Sequence, residues 1–382
     1  MTTMQYIGIA LTFVFLAAAI LSWTITFRVK RLAEWLGCVD LPDDRKIHTR
    51  ATPRLGGLSI VFGFGIPLLA LAILPDARNL VAKNLDYLLA VLASGAVIIA
   101  LGVYDDLFGS NASKKFTFQS IAGLLLILFG FHFDRISLGF EIELGWAGPL
   151  VTLVWIVGVI NAINFIDGMD GLATLVTFTL AVTIGVIAWI RGDVFSLVIM
   201  TALAGSLLGF LPWNWRPAKI FMGDTGSQFI GLLLVAMSIA RNAKSPTALV
   251  VAGPFLALAL PVLDTLFVMK GRFFQPGLTV AQRFFRLFNA DRSHLHHILD
   301  VKYGSHAKAV FFVWVITLAF GAAGVLTVID ATRPLGYALA LSAAGLMIIL
   351  RAGTAIIRRS AVDAENQPDA EDEISPRAIA RS

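Results

Sequence analysis

Charge is what this chain lacks most. Only 14% of its 382 residues are Asp, Glu, Lys or Arg, while 57% are hydrophobic and the mean hydropathy is +0.80. Ordinary soluble domains carry about 25% charged residues, so a water-facing surface over the whole molecule is excluded. Cysteine is nearly absent as well. Cys38 stands alone, which rules out an intrachain disulfide framework and any multi-cysteine metal site. The first apolar run has no basic segment before it, and its positive flank (Arg28, Lys30, Arg31) comes after it. That pattern describes a helix inserted with its N-terminus outside, not a signal peptide. The net charge of +5 does not call for a nucleic-acid partner. The basic residues flank apolar runs, where membrane orientation and anionic phosphate ligands account for them.

Long apolar stretches are abundant instead. Eleven spans are expected, at about 6–27, 56–75, 85–104, 116–133, 147–166, 172–190, 194–212, 225–240, 247–268, 309–329 and 335–357. The fold class that follows is all-α, a polytopic integral membrane protein, because an open sheet would leave backbone groups unpaired in hydrocarbon. With the N-terminus outside and Arg351 counted with the C-terminal tail, the inner segments hold 23 of the 30 lysines and arginines. That excess sets the expected topology: N-terminus out, C-terminus in the cytosol. Residues 1–360 read as one transmembrane catalytic domain and 361–382 as a solvated, disordered tail. RFFRLF at 283–288 suggests an amphipathic interfacial helix in the long inner segment 269–308.

Polar clusters interrupt the apolar runs, and the topology puts them all on the inner side. Asp105 and Asp106 end the third span, where the helix dipole disfavours both carboxylates unless a cation or basic partner relieves them. Lys114, Lys115 and Gln119 follow across a short loop. In NAINFIDGMDGLA, Asn161, Asn164, Asp167 and Asp170 recur every third residue, and the two Asp-Gly pairs favour a turn. A polar stripe of that kind at a span end is expensive unless it binds something. Asp224, in FMGDTGS, lies between glycines at the start of a span. There it serves either as a plain helix cap or as part of a site. His294, His296 and His297, after Asp291 and Arg292, have poor spacing for tetrahedral zinc and suit a phosphate or pyrophosphate better. In the first inner loop, Arg45, Lys46 and His48 fit either the positive-inside signal or a diphosphate.

Together these groups suit Mg²⁺, which takes one or two carboxylates and shares its remaining shell with substrate phosphates. One soluble phosphorylated donor and one lipid acceptor are implied. The segments DLPDDRKIH, PRLGG, YDD, NAINFIDGMDGLA, FMGDTGS and SHLHH, in that order between residues 40 and 300, make the chain resemble the polyprenyl-phosphate N-acetylhexosamine-1-phosphate transferases. The resemblance implies transfer of an N-acetylhexosamine-1-phosphate, foremost GlcNAc-1-phosphate, from a UDP-sugar to undecaprenyl phosphate, with UMP released. It implies Mg²⁺ as cofactor, with Mn²⁺ as a substitute, and a site in a bacterial cytoplasmic (inner) membrane facing the cytosol. A homodimer is compatible with it, although no interface is legible.

Carried onto this sequence, the resemblance makes Asp224 the metal ligand, with Asp106 and Asn164 beside it. Asp105 and Asp106 become the essential pair, either one the base. Lys115 falls near the phosphates, Phe221 beside the uracil, and Asn161, Asp167 and Asp170 along the nucleotide and metal region. His294, His296 and His297 form the basic cluster at the pyrophosphate. The His-Leu-His-His pattern, with Ile298 where a third consecutive histidine would stand, resembles the branch that initiates O-antigen, enterobacterial common antigen or teichoic acid. Two alternatives stay open: a phospho-N-acetylmuramoyl-pentapeptide transferase of peptidoglycan synthesis, and a transporter with intramembrane carboxylates. Against the transporter, no repeat is evident and the polar residues gather at one face rather than at the midplane.

Overall fold

The computed structural model describes residues 3–40, 51–137, 141–240, 252–274 and 293–365. These form fourteen α-helices and two short antiparallel strand pairs. In chain order the helices are α1 (Thr3–Trp35), α2 (Gly57–Ile73), α3 (Pro75–Lys83), α4 (Leu85–Phe108), α5 (Ala112–Leu128), α6 (Gly148–Ile166) and α7 (Leu172–Ile190). They continue with α8 (Val194–Asn214), α9 (Gly223–Ile239), α10 (Ala252–Ala257), α11 (Ala259–Phe273), α12 (Leu295–Tyr303), α13 (His306–Val328) and α14 (Arg333–Glu365).

The all-α membrane architecture is borne out. Seven helical segments are long and apolar enough to cross a bilayer: Ile7–Trp35, Leu85–Phe108, Gly145–Ile166, Leu172–Ile190, Val194–Asn214, His306–Val328 and Asp330–Ala352. The other four expected spans coincide with shorter helices, namely α2, α5, α9 and the α10–α11 pair. For α9 the reason is visible. Every residue from Gly223 to Ile239 is buried inside the protein, so neighbouring helices rather than the lipid thickness set its length. Helix α4 runs to Phe108, past the expected end at 104, so the Asp105-Asp106 pair sits on its last turn. The last helix reaches Glu365, beyond the expected start of the tail, and 366–382 lie outside the described residues. RFFRLF at 283–288 and the loop residues Arg45, Lys46 and His48 also fall outside them.

Helix α9 is the axis on which the site is built. It packs against α2, α4 and α6, and glycines allow that approach. A Cβ added to Gly57 would lie 2.1 Å from Gly226 N, and one added to Gly102 would lie 2.4 Å from Thr225 Cα. PRLGG and FMGDTGS are thus two halves of one backbone contact. The same segments are joined by hydrogen bonds, with Gly56 N donating to Phe221 O at 2.9 Å and Gly57 N to Met222 O at 2.8 Å. Phe221 N returns a bond to Pro53 O at 2.9 Å.

Gly102→Val places branched carbon against the backbone of α9 with no flexible atom to yield. The expected loss is about 1–3 kcal/mol or outright failure to fold, read from thermal unfolding of purified protein in detergent. Gly65→Ala, where an added Cβ meets nothing within 4 Å, is the control and should unfold within a few degrees of the parent.

Candidate active site

Asp106 does not face open space. Its Oδ1 accepts from Asp224 N at 2.9 Å, while its Oδ2 accepts from Thr225 N at 3.0 Å and Thr225 Oγ1 at 2.7 Å. A carboxylate at the C-terminal end of α4 therefore caps the N-terminus of α9. The free amides and positive dipole end there supply the relief that the sequence demanded. Gly223, with φ of +66° and an added Cβ that would fall 2.5 Å from Asp106 Oδ1, makes the approach possible. Asp224 is consequently not the cap of its own helix, because Asp106 already takes the amide hydrogens that such a cap would bind.

Asp224 points the other way, into the site. Its Oδ1 accepts from Asn164 Nδ2 at 3.2 Å and its Oδ2 from Gln228 Nε2 at 2.8 Å. Lys115 forms a short ion pair with the same Oδ2, and its Nζ lies 3.0 Å from Asp105 Oδ2. Ser110 Oγ donates to the other oxygen of Asp105. Lys114 and Lys115 stand side by side in the sequence. The structure separates them, since Lys114 is exposed and reaches only toward Tyr104, at 3.4 Å.

Oxygens of Asp105, Asp106 and Asp224 lie within 4.8 Å of one another. That all-oxygen donor set fits a hard divalent cation such as Mg²⁺. Asp224 and Asp105 are the better candidates to hold it, because the Asp106 oxygens already carry three hydrogen bonds. In this structure Lys115 bridges the two carboxylates as a cation would. Arg54 stands behind the cluster, its Nε 4.0 Å from Asp106 Oδ1.

The DGMDG turn follows α6. Burial, with the nearby charge of Asp224, pushes the Asp167 carboxyl up to about 8. Asp170 does not join the acid cluster. Its Oδ2 accepts from Ala218 N at 3.0 Å and its carbonyl meets His306 Nε2 at 3.0 Å, so it pins the loop leading to Phe221. Phe221 is half-buried, anchored through its backbone to the PRLGG segment.

Three histidines close the opposite wall. His294 Nδ1 lies 2.8 Å from Asp264 Oδ2, and Asp264 Oδ1 accepts from Leu295 N at 2.9 Å and from Arg351. His296 is only 2% exposed, its Nε2 has no hydrogen-bond partner among the described residues, and burial beside His297 holds its pKa well below the ordinary value. It therefore stays neutral at physiological pH. An added Cβ on Gly168 would meet His296 Nε2 at 2.9 Å and His297 Nε2 at 3.4 Å, so the histidines sit directly against the DGMDG turn. Between these walls lies a cavity of about 370 Å³ lined by Lys115, Gln119, Asn161, Asn164, His294 and His297 among others.

Sequence reasoning missed Asp264, Arg351 and Gln228. A lone acid inside the run 247–268 and a lone arginine inside 335–357 were the available signals, since ionisable residues within spans seldom occur without a partner.

The chain is similar to known proteins over most of its length. A family model described as glycosyl transferase family 4 matches residues 88–242. A Bacillus subtilis protein named as a probable undecaprenyl-phosphate N-acetylglucosaminyl 1-phosphate transferase is 34% identical over 305 residues, covering 79% of this chain and 80% of the relative. The chain belongs to glycosyl transferase family 4. A decaprenyl-phosphate N-acetylglucosaminephosphotransferase of Mycobacterium tuberculosis is 37% identical, with 82% of each chain covered. An undecaprenyl-phosphate alpha-N-acetylglucosaminyl 1-phosphate transferase of Escherichia coli K12 is 28% identical, over 77% of this chain and 76% of that one. The family match includes Asp105, Asp106 and the NAINFIDGMDGLA and FMGDTGS motifs, so the resemblance drawn from those motifs holds.

Two predictions follow from the site. Asp106→Ala strands two backbone amides and a hydroxyl without their acceptor and should cost about 2 kcal/mol or more of stability, whereas Asp105→Ala should cost less than half as much. Denaturant titration in detergent compares the two. In metal-free protein Asp167 has a folded pKa raised above its unfolded one, so its contribution is fully present below about pH 4 and declines as pH rises through about 8. Asp167→Asn should flatten that part of the stability-against-pH curve; an unchanged slope between pH 5 and 8 would contradict the assignment.

Proposed function

We propose that this chain transfers N-acetylglucosamine-1-phosphate from UDP-N-acetylglucosamine to undecaprenyl phosphate, giving undecaprenyl-pyrophosphoryl-N-acetylglucosamine and UMP. The step would initiate a cell-surface glycan at the cytosolic face of a bacterial inner membrane. The observation that carries the reading is Lys115 bridging Asp105 and Asp224 at the mouth of a cavity framed by membrane helices. The relatives' names support the carrier lipid and the sugar.

The reaction on this reading is one displacement. An oxygen of the carrier phosphate attacks the β-phosphorus, the bond from that phosphorus to the bridging oxygen breaks, and UMP departs. The chemistry that Mg²⁺ would supply, held by Asp224 and Asp105, is neutralisation of charge on the diphosphate. Lys115 moves from the carboxylates to the phosphate oxygens as these arrive. Asp105 is the better placed of the adjacent pair to orient the carrier phosphate or take its proton, because Asp106 is engaged on α9. His294, held through Nδ1, and His297 both line the cavity.

Purified protein given undecaprenyl phosphate, Mg²⁺ and a panel of UDP-sugars should release UMP fastest from UDP-N-acetylglucosamine and stop on addition of EDTA. Asp224→Asn should lower turnover at least ~100-fold, the scale of losing one charge-stabilising group. Near-normal turnover in that variant rejects its role. A labelled sugar phosphate trapped on the protein without lipid would replace the single displacement by a two-step route. Uptake into vesicles with no UMP from any donor would favour a transporter.

A further inference from the structure

A file of side-chain amides leads from the acid cluster into the bundle. Gln228 donates Nε2 to Asp224 Oδ2 at 2.8 Å, Gln119 donates Nε2 to Gln228 Oε1 at 3.1 Å, and Asn161 donates Nδ2 to Gln119 Oε1 at 2.7 Å. The direction of this file is not arbitrary. An ionised carboxylate paired with Lys115 only accepts, so Gln228 must turn its NH₂ toward Asp224. Its oxygen is then left for the NH₂ of Gln119, and the oxygen of Gln119 for the NH₂ of Asn161. Gln119 and Gln228 are 1% and 0% exposed. Reversing either would press oxygen on oxygen, and nitrogen on nitrogen, where no water can compensate.

Asn161 is the open end. One of its amide hydrogens goes to Gln119 and the other to Val157 O at 2.8 Å. Its Oδ1 has no partner among the described residues, and Asn161 lines the cavity together with Lys115 and Asn164. We infer that Asn161 Oδ1 is a fixed hydrogen-bond acceptor for the sugar, with Gln119 and Gln228 as the positioning residues that hold its polarity. The inference rests on the transfer reaction proposed above. Phosphate oxygens are themselves acceptors and are turned away from this atom. Asn161 lies three residues, about 4.5 Å along the helix axis, from Asn164, which bonds Asp224. The cavity therefore has a cationic end for phosphate at Lys115 and an accepting end, deeper in the bundle, for a group bearing N–H or O–H. On an N-acetylhexosamine that group is either the acetamido N–H or a ring hydroxyl.

The test compares kcat/KM for UDP-N-acetylglucosamine with two kinds of analogue. In one the acetamido N–H is replaced by an ester oxygen; in the others a single ring hydroxyl is replaced by fluorine, which removes the donor at similar size. The wild type should lose about tenfold or more on one analogue, and which analogue it is identifies the donor. In Asn161→Leu that analogue should react as well as the parent sugar does, a ratio near 1. Gln119→Leu, which frees the Asn161 amide to turn, should reduce the discrimination. Equal ratios for every analogue in wild type and Asn161→Leu overturn the inference. If Asn161→Leu does not fold, a wild type indifferent to the whole series overturns it without any variant. Failure of the underlying reaction looks different, because then the wild type releases no UMP from UDP-N-acetylglucosamine itself.

Discussion

The capping of α9 by Asp106 is the interaction on which the site depends. A helix that begins inside a membrane protein leaves amide hydrogens that water cannot reach, and a carboxylate at the end of another helix faces the wrong pole of a dipole. Each is unfavourable alone. Set against each other by the close contact of Gly102 with Thr225 and of Gly223 with Asp106, they cancel. Asp224 is then free of capping and can turn toward Lys115, Asn164 and Gln228. The two adjacent aspartates thus differ in work: Asp106 joins two helices, and Asp105 meets the cavity.

The charge balance around that joint favours a dication. Four carboxyls, those of Asp105, Asp106, Asp167 and Asp224, are gathered around two permanent cations, Lys115 and Arg54. With Asp167 held protonated by its surroundings the cluster still carries an excess of negative charge at low dielectric. Lys115 satisfies part of it and, being on a flexible stem, would be able to leave on the proposed reaction, in which phosphate and metal bring their own charges.

Much of this was legible in the residues. The apolar runs marked every membrane-scale helix, and the four polar clusters at their ends were the ones that folding gathers. Order and spacing in NAINFIDGMDGLA put Asn161 and Asn164 on one helix face and the aspartates on the turn. What could not be read was division of labour. Nothing in the pair Asp105-Asp106 says which caps and which faces a cavity, since that is decided by where α9 begins in space. Asp170 has the same look as Asp167 in sequence, yet it pins the loop before Phe221 through Ala218. Asp264 and Arg351 are 87 residues apart, and only the tertiary fold makes them partners beneath His294.

The contrast between charged and amide groups carries the final point. Around Asp224, polarity is supplied by ions whose protonation responds to burial, as Asp167 and His296 show. One turn deeper, α5, α6 and α9 meet through Gln119, Asn161 and Gln228, groups that do not titrate and whose orientation is inherited from Asp224. Charge there would be costly and would drift with pH. An amide file transmits the sign of a carboxylate to a neutral atom at a distance, so on the reaction proposed above the end that would meet the sugar keeps a constant polarity while the charged end would exchange its counterions.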